Sequence, residues 1–264
     1  MRYLTQAVVQ RMLARTDRDG GVVMCDFDGT LAAIVPDPKS ARISNGARRA
    51  LRACTGSFIV AILSGRALPD VRRRSGIRGA WYVGNHGLEW ALGAKRGRAR
   101  LPFATMRALR SAWRELEKLA RRYPGIFLED KRLSLSVHVR RVHSSHAAPL
   151  RSDIRKALAP FAQKLVAKEG QEYVYNVRPK KGPDKGGAAR LVRQNAPRRA
   201  FPVFIGDDET DEDAFKALKT GITIRVGKRR GSAARYYVRT RAEVDGILNK
   251  LAESAVRYAD TRKR

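Results

Sequence analysis

The sequence predicts an α/β fold in which a parallel-sheet core is interrupted by a separate α+β layer. Three observations carry this expectation. Short apolar runs alternate with amphipathic helical segments along both ends of the chain. Four of those runs stop at polar clusters rich in Asp, Gly, Asn or Ser. In the middle, continuous apolar runs give way to strict apolar/polar alternation, the pattern of a strand with one buried face.

In chain order, Met1 to Thr16 scatters Arg2, Arg11 and Arg15 among apolar residues. This predicts a helix packed on the surface, since a signal peptide needs an uninterrupted apolar segment. Gly21 to Cys25 reads as a buried strand leading into Asp26-Phe27-Asp28, and Ser44 opens a helix to about Cys54. Phe58 to Leu63 is a second buried strand, ending at Ser64-Gly65-Arg66. Ala80 to Val83 is a third, ending at Gly84-Asn85-His86-Gly87, and Phe201 to Ile205 a fourth, ending at Gly206-Asp207-Asp208. Ligands of open parallel sheets bind at the carboxyl edge, where the loops converge. One site can therefore draw on all four clusters.

The middle layer begins with Met106, Leu109, Trp113, Leu116 and Ala120 at helical spacing, which predicts a helix over Ala104 to Arg122. Leu133, Leu135, Val137 and Val139 alternate with Ser134, Ser136, His138 and Arg140, a strand on which His138 is read as structural. A helix around Pro149 to Lys168 and a strand around Glu172 to Arg178 follow. Asp184 to Gln194 then returns to helix, Thr240 and Glu243 form a capping box for the last helix, and Thr261 to Arg264 reads as a frayed tail.

Composition narrows the function classes. The chain of 264 residues is long enough for a core with a smaller insertion, and no stretch approaches the roughly 20 apolar residues that span a bilayer. A cytoplasmic protein without a membrane partner is expected. Its two cysteines, Cys25 and Cys54, lack metal-ligand spacing and are expected as free thiols. The formal charge of +30 would suit nucleic acid. The basic residues are spread along the chain, however, and no zinc-finger, zipper or aromatic RNA-binding pattern accompanies them. The field is expected to attract small anions, with no nucleic-acid partner.

Asp26-Phe27-Asp28-Gly29-Thr30 sets two carboxylates two residues apart just past a buried strand. Phosphate-ester hydrolysis can use such a pair in separate roles, Asp26 as the nucleophile that becomes an aspartyl-phosphate and Asp28 as general acid and base. Gly29 allows a sharp turn and Thr30 can hydrogen-bond a phosphoryl oxygen. A calcium loop would need further acidic or amide groups at alternate positions, which Thr30, Ala32 and Ile34 do not provide. Asp207 and Asp208, with Asp211 beyond, can complete a magnesium site with Asp26, Asp207 as ligand and Asp208 and Asp211 supporting. The same acidic run also suits a helix N-terminus. Lys185, opening a helix after Gly182-Pro183, can neutralise phosphoryl charge.

Together these segments resemble the haloacid dehalogenase (HAD) phosphatase superfamily. Its four motifs match Asp26 to Thr30, Ser64 in Leu63-Ser64-Gly65-Arg66, Lys185, and Gly206-Asp207-Asp208 through Asp211, in that order. The resemblance implies a Rossmann-like parallel-sheet core over residues 1–88 and 180–264, with an α+β cap domain at 89–179. It also implies Mg2+ as cofactor, with the backbone carbonyl of Asp28 as a ligand. Asp26 to Pro38, including Pro36-Asp37-Pro38, with Gly84 to Glu89, Leu128-Glu129-Asp130-Lys131 and Gly206 to Asp213, is similar to the trehalose-6-phosphate phosphatases. That similarity implies hydrolysis of a sugar phosphate, with Glu129 and Lys131 reaching the disaccharide and Arg66, Asn85 and His86 nearby. His86 can equally brace its own turn. The family's usual glutamate is replaced by Asn176, which bears on the disaccharide preferred. Sucrose phosphate or a mannosyl-phosphoglycerate is the alternative substrate, and a basic nucleic-acid-binding protein on the same fold the more distant one.

Overall fold

The computed structural model describes residues 1–35, 37–170 and 174–262. The chain divides into two compact units, Met1–Arg98 with Pro183–Arg264, and Ala99–Gly182. Up to residue 98 it runs β1 (Arg2–Tyr3), α1 (Gln6–Asp19), β2 (Gly21–Cys25), α2 (Asn45–Cys54), β3 (Ile59–Leu63), α3 (Leu68–Ser75), β4 (Trp81–Gly84), β5 (Glu89–Leu92) and β6 (Lys95–Arg98). The second unit holds α4 (Phe103–Arg122), β7 (Phe127–Asp130), β8 (Leu135–His138), α5 (Ala147–Leu158), β9 (Leu165–Gly170) and β10 (Val174–Pro179). The first unit resumes with α6 (Lys185–Asn195), β11 (Phe201–Gly206), α7 (Asp211–Ala217), β12 (Ile222–Val226), β13 (Tyr236–Val238) and α8 (Arg241–Thr261).

In the first unit, nine strands among the described residues form one sheet in the order β1-β13-β12-β11-β2-β3-β4-β5-β6. Every pair from β1 to β4 is parallel, and only the β4-β5-β6 end is antiparallel. The apolar runs are continuous because both faces are covered. Val23, Cys25, Val60, Ile62, Val203 and Ile205 pack with α1, α2 and α8, while Val22, Met24, Ala61, Leu63 and Phe204 pack with α6 and α7. From β2 the chain builds outward through β3 and β4, and later from β11 outward through β12 and β13 on the other side. The sheet order therefore reverses at the β2–β11 pair, where the loops diverge and leave a crevice at the strands' carboxyl ends. The expected start of the insertion at residue 89 is corrected here. Residues 89–98 form the β5–β6 hairpin on β4, with Leu92 in the core, so the units part after Arg98 and again after Gly182.

Among the described residues, the second unit has a four-stranded antiparallel sheet, β7-β8-β10-β9. Leu109, Ala112 and Leu116 of α4 and Leu150, Ile154 and Leu158 of α5 pack on Leu135, Val137, Tyr175 and Val177. The helix expected over 149–168 ends at Leu158, and Leu165–Gly170 is instead a strand paired with β10. Pro160 explains the stop, since it has no N–H to continue the ladder. The strand expected from Glu172 is described from Val174, and Glu172 lies outside the described residues, as do Pro36 and the last two residues of the expected tail. Thr261 still belongs to α8, whose capping box at Thr240 and Glu243 is present. Both cysteines are buried free thiols, with Cys54 pushed up to about 12 by burial. No helix among the described residues is long and apolar enough to cross a membrane.

Candidate active site

The loop after β2 and the loop after β11 face each other across the crevice. Gly29 turns with φ 80°, and a Cβ there would lie 2.0 Å from the Asp207 carboxylate, so only glycine lets that carboxylate approach the turn. Asp207 is fixed from the same turn: the Thr30 hydroxyl donates to its Oδ1 at 2.8 Å. Thr30, expected at a phosphoryl oxygen, thus orients an acidic neighbour. Gly206 is likewise required, because a side chain would run into Asp211 at 2.4 Å. Asp211 Oδ2 accepts from the backbone N–H groups of Asp207 (3.0 Å) and Asp208 (2.9 Å), which locks the loop.

Lys185 lies at the start of α6, whose N-cap Asp184 accepts from the Gly187 amide. Its ammonium is buried and donates to Asp26 Oδ1 at 2.7 Å and to Asp211 Oδ1 at 2.8 Å. Burial alone would favour the neutral amine, but Asp211 and Asp26 outweigh it and hold the ammonium firmly charged. Burial pushes Asp26 well above the ordinary carboxylate range, Lys185 pulls it back, and the charges of Asp211 and Asp207 push further. Asp207 is pushed up to about 7, first by burial and then by Asp211.

Oxygen atoms of Asp26, Asp207 and Asp211 lie within 4.8 Å of one another. Three buried carboxylates against one buried ammonium leave an excess of negative charge, and the donors are hard oxygens. Both features fit a divalent cation. Asp211 already spends its oxygens on Lys185 and two amides, which leaves Asp26 and Asp207 as the groups able to hold it.

The remaining core candidates converge on the same edge. The Ser64 hydroxyl accepts from the Arg66 amide at 3.1 Å, and the amides of Asn85 and His86 donate to the carbonyls of Arg66 (2.6 Å) and Ser64 (3.1 Å). Asn85 and His86 both have left-handed backbones, φ 54° and 55°. The buried His86 ring lies against Gly65, where a Cβ would come within 2.5 Å of it. Arg66, expected near sugar, grips both oxygens of Asp28 at 2.7 Å and reaches Asp70 at 3.0 Å.

Known proteins resemble this chain in sequence and in fold. The sequence matches the trehalose-phosphatase family over residues 24–242. The chain belongs to that family. A trehalose-phosphate phosphatase of Mycobacterium tuberculosis is 33% identical over 240 residues, covering 87% of this chain. The chain spans 61% of that relative's length. The C-terminal domain of a C. albicans trehalose-6-phosphate phosphatase superposes with a TM-score of 0.83 at 21% identity, covering 96% of this chain and 98% of that one, a likeness of fold. An Aspergillus fumigatus trehalose-6-phosphate phosphatase gives 0.63 at 26% identity, covering 96% and 99%. The parallel-sheet core with its inserted unit is thus the architecture of this family.

In the family's inserted unit, Glu129 of β7 and Asn176 of β10 both pair with Ser136 of β8, one row across three strands. The Ser136 hydroxyl donates to Asn176 Oδ1 at 2.9 Å. Glu129 Oε2 lies 3.0 Å from a His138 ring nitrogen and 3.8 Å from the buried Lys131 ammonium. Ser134 and Ser136, expected on an open face, are buried. Sequence reasoning misses three pairings. His138 reads as structural, although it alternates in phase with Ser136 and so shares the face of Glu129. Asp70 stands one helical turn beyond Arg66, a spacing that flags a pair. Glu212 and Arg225 form a buried ion pair at 2.9 Å, and Arg225 also donates to the Asp208 carbonyl at 3.0 Å, a tertiary contact with no local signature.

Proposed function

We propose that the protein hydrolyses trehalose 6-phosphate to trehalose and phosphate through a phospho-aspartate on Asp26, with Mg2+ as cofactor. The observation that carries this is the buried Lys185–Asp26 contact at 2.7 Å inside a cluster with Asp207 and Asp211. It sits at the crevice edge of a family whose named relatives are trehalose-phosphate phosphatases.

The Asp26 carboxylate attacks phosphorus as the bond to the sugar oxygen breaks. Asp28 gives that oxygen a proton, then accepts one from the water that opens the phospho-aspartate. Lys185 balances the charge of Asp26 and of the incoming phosphoryl group, and Asp211 keeps Lys185 aimed. Bound Mg2+, held by Asp26 and Asp207 and, as the family resemblance implies, the Asp28 carbonyl, supplies further charge neutralisation at the nucleophile and phosphoryl oxygens. Glu129, Lys131 and Asn176 read the disaccharide, offering an acceptor, a cation and an amide.

Phosphate release measured over trehalose 6-phosphate, sucrose 6-phosphate, mannosyl-phosphoglycerate and glucose 6-phosphate tests the assignment. Trehalose 6-phosphate should lead in kcat/KM, and chelation should abolish release until Mg2+ is returned. A different leading substrate removes the trehalose assignment, and activity that survives chelation removes the metal.

A further inference from the structure

We propose that Asp70 is a positioning residue acting through Arg66 on Asp28, and that Arg66 serves the reacting end of the substrate, not its sugar. This rests on the phosphatase reading above. Arg66 Nε and Nη2 donate to the two oxygens of Asp28, each at 2.7 Å. Such a planar fork fixes both the direction and the rotation of a carboxylate. Of the pair, Arg66 is the anchored member, with 11% of its side chain exposed against 40% for Asp28.

The anchor draws on Asp70, Pro38 and Phe27, of which only Phe27 lies within the four motifs. Nη1 of Arg66 donates to Asp70 at 3.0 Å, Nη2 donates also to the Pro38 carbonyl at 3.0 Å, and the guanidinium lies 5.5 Å from the Phe27 ring centre. Four of the five guanidinium N–H bonds are thereby committed, which leaves little with which to read sugar hydroxyls. Asp70 is held in turn: Arg74 Nε donates to it at 2.7 Å and Arg73 at 2.5 Å. The buried Arg74 also donates to the carbonyls of Lys39 (2.6 Å) and Ala41 (3.2 Å). The helix α3 therefore clamps the loop that follows β2, and Asp70 is the acceptor on which Arg66, Arg73 and Arg74 meet.

An aspartate that must deliver a proton to a departing oxygen works best when it cannot rotate away. The need depends on the leaving group. A sugar alkoxide or a phenolate needs that proton, whereas p-nitrophenolate leaves readily without it. Trehalose 6-phosphate, phenyl phosphate and p-nitrophenyl phosphate thus separate positioning from sugar binding, because the two aryl esters are of similar size and neither carries a sugar.

The test is steady-state kinetics of Asp70→Asn on these three substrates, with Asp70→Glu as the conservative rescue and Arg66→Lys as a second variant. Asp70→Asn should lower kcat about tenfold on trehalose 6-phosphate and on phenyl phosphate, part of the roughly 10²–10⁴-fold due to a positioned acid. KM should hold within about twofold, and p-nitrophenyl phosphate should lose less than about twofold by the same argument. Asp70→Glu should recover most of the loss, and Arg66→Lys should show the same pattern more strongly, since lysine cannot bind bidentately. Equal losses on all three substrates would reduce Asp70 to a structural part and overturn the proposal. A loss confined to KM for trehalose 6-phosphate would make Arg66 a sugar contact and overturn it too. A wild-type protein that cleaves only the aryl esters would defeat the trehalose assignment alone, and the aryl pair would still decide the role of Asp70. Release from none of the three would overturn the phosphatase reading and the positioning role with it.

Discussion

The two units hold their polar residues in opposite ways. In the first, Asp26, Asp207, Asp211 and Lys185 are buried and each is fixed by partners from distant segments, 159 residues apart for Lys185 and Asp26. In the second, Glu129, His138, Ser136 and Asn176 are neighbours on adjoining strands of one small sheet. The first arrangement concentrates charge where water is excluded, so Asp26, Asp207 and Lys185 titrate away from their ordinary ranges under burial and their charged neighbours. The second presents a mixed row of acceptors and donors. Under the proposed function, charge chemistry is built by long-range convergence and recognition by a short-range sheet row that can change without disturbing the first.

Breaking the buried cluster should have the largest effects. Asp26→Asn should lower turnover on the order of 10⁴-fold or more, as nucleophile removal does elsewhere. It should nevertheless leave the metal-free protein at least as heat-stable, because burial and the neighbouring carboxylates make a charge on Asp26 costly in the folded state. Lys185→Met should cost about 3 kcal/mol in urea unfolding, the usual penalty for stranding buried charge. In the Asp26→Asn background that cost should shrink, and additive costs would show that the two groups do not share one electrostatic site.

The same cluster predicts a pH effect. Asp207 stands at about 7 when folded against an ordinary 3.8, so the folded state holds its proton more tightly than the unfolded chain. Its contribution to stability is full below about pH 4 and gone above about pH 7. Melting temperatures of the metal-free wild type should therefore fall across that window relative to Asp207→Asn, and excess divalent cation should reverse the fall. Parallel curves for the two proteins would mean that Asp207 is ionised throughout.

The contrast also explains what was legible in the sequence. Carboxylates at the ends of wholly apolar strands are chemically conspicuous, and the parallel topology forces those ends onto one edge, so the residue pattern alone picks out Asp26, Asp28 and Asp207, while Lys185 stands out only through the family resemblance. The contacts that tune them carry no such mark. Thr30 orients Asp207, and Arg66 holds Asp28, because side-chain direction depends on packing between loops far apart in sequence. The boundary at Arg98 escapes the pattern because a hairpin that prolongs a sheet reads like the start of a new layer. The helix expected through Lys168 is lost to Pro160, a local cue that is present but overridden by the apolar spacing. In the second unit, residues such as Glu129 and Lys131 have ordinary surface composition, and only the family resemblance singles them out.

A moderate effect should separate the two units cleanly. If Glu129 and Lys131 hold the disaccharide as proposed, alanine at either should remove a hydrogen bond to a charged group, worth about 1.5–3 kcal/mol, or about 10- to 100-fold in kcat/KM for trehalose 6-phosphate. On p-nitrophenyl phosphate, which has no distal sugar, the same variants should stay within about threefold, since the contacts removed are remote from the reacting atoms. Proportional losses on both esters would place Glu129 and Lys131 among the residues that support folding.

The smallest effect, and the finest probe of the sheet row, is Asn176→Glu. Asn176 accepts from Ser136 through its carbonyl oxygen, so on the proposed reading its amide nitrogen is the group that would meet the sugar. A carboxylate can keep the Ser136 bond but exchanges that donor for a second acceptor. Its charge would also be tolerated, because Asn176 pairs across the sheet with Lys168. Stability should accordingly change by under about 1 kcal/mol, the scale of cross-strand pairs. If the row reads trehalose as the family's glutamate does, kcat/KM for trehalose 6-phosphate should hold or rise by up to about tenfold, the gain of one charge-assisted hydrogen bond. A steep loss with unchanged p-nitrophenyl phosphate hydrolysis would mean that this chain uses the amide donor itself, against an acceptor that trehalose 6-phosphate does not offer to a carboxylate. The preferred disaccharide would then have to be sought among phosphates that present such an acceptor, while the chemistry at Asp26 stood unaltered.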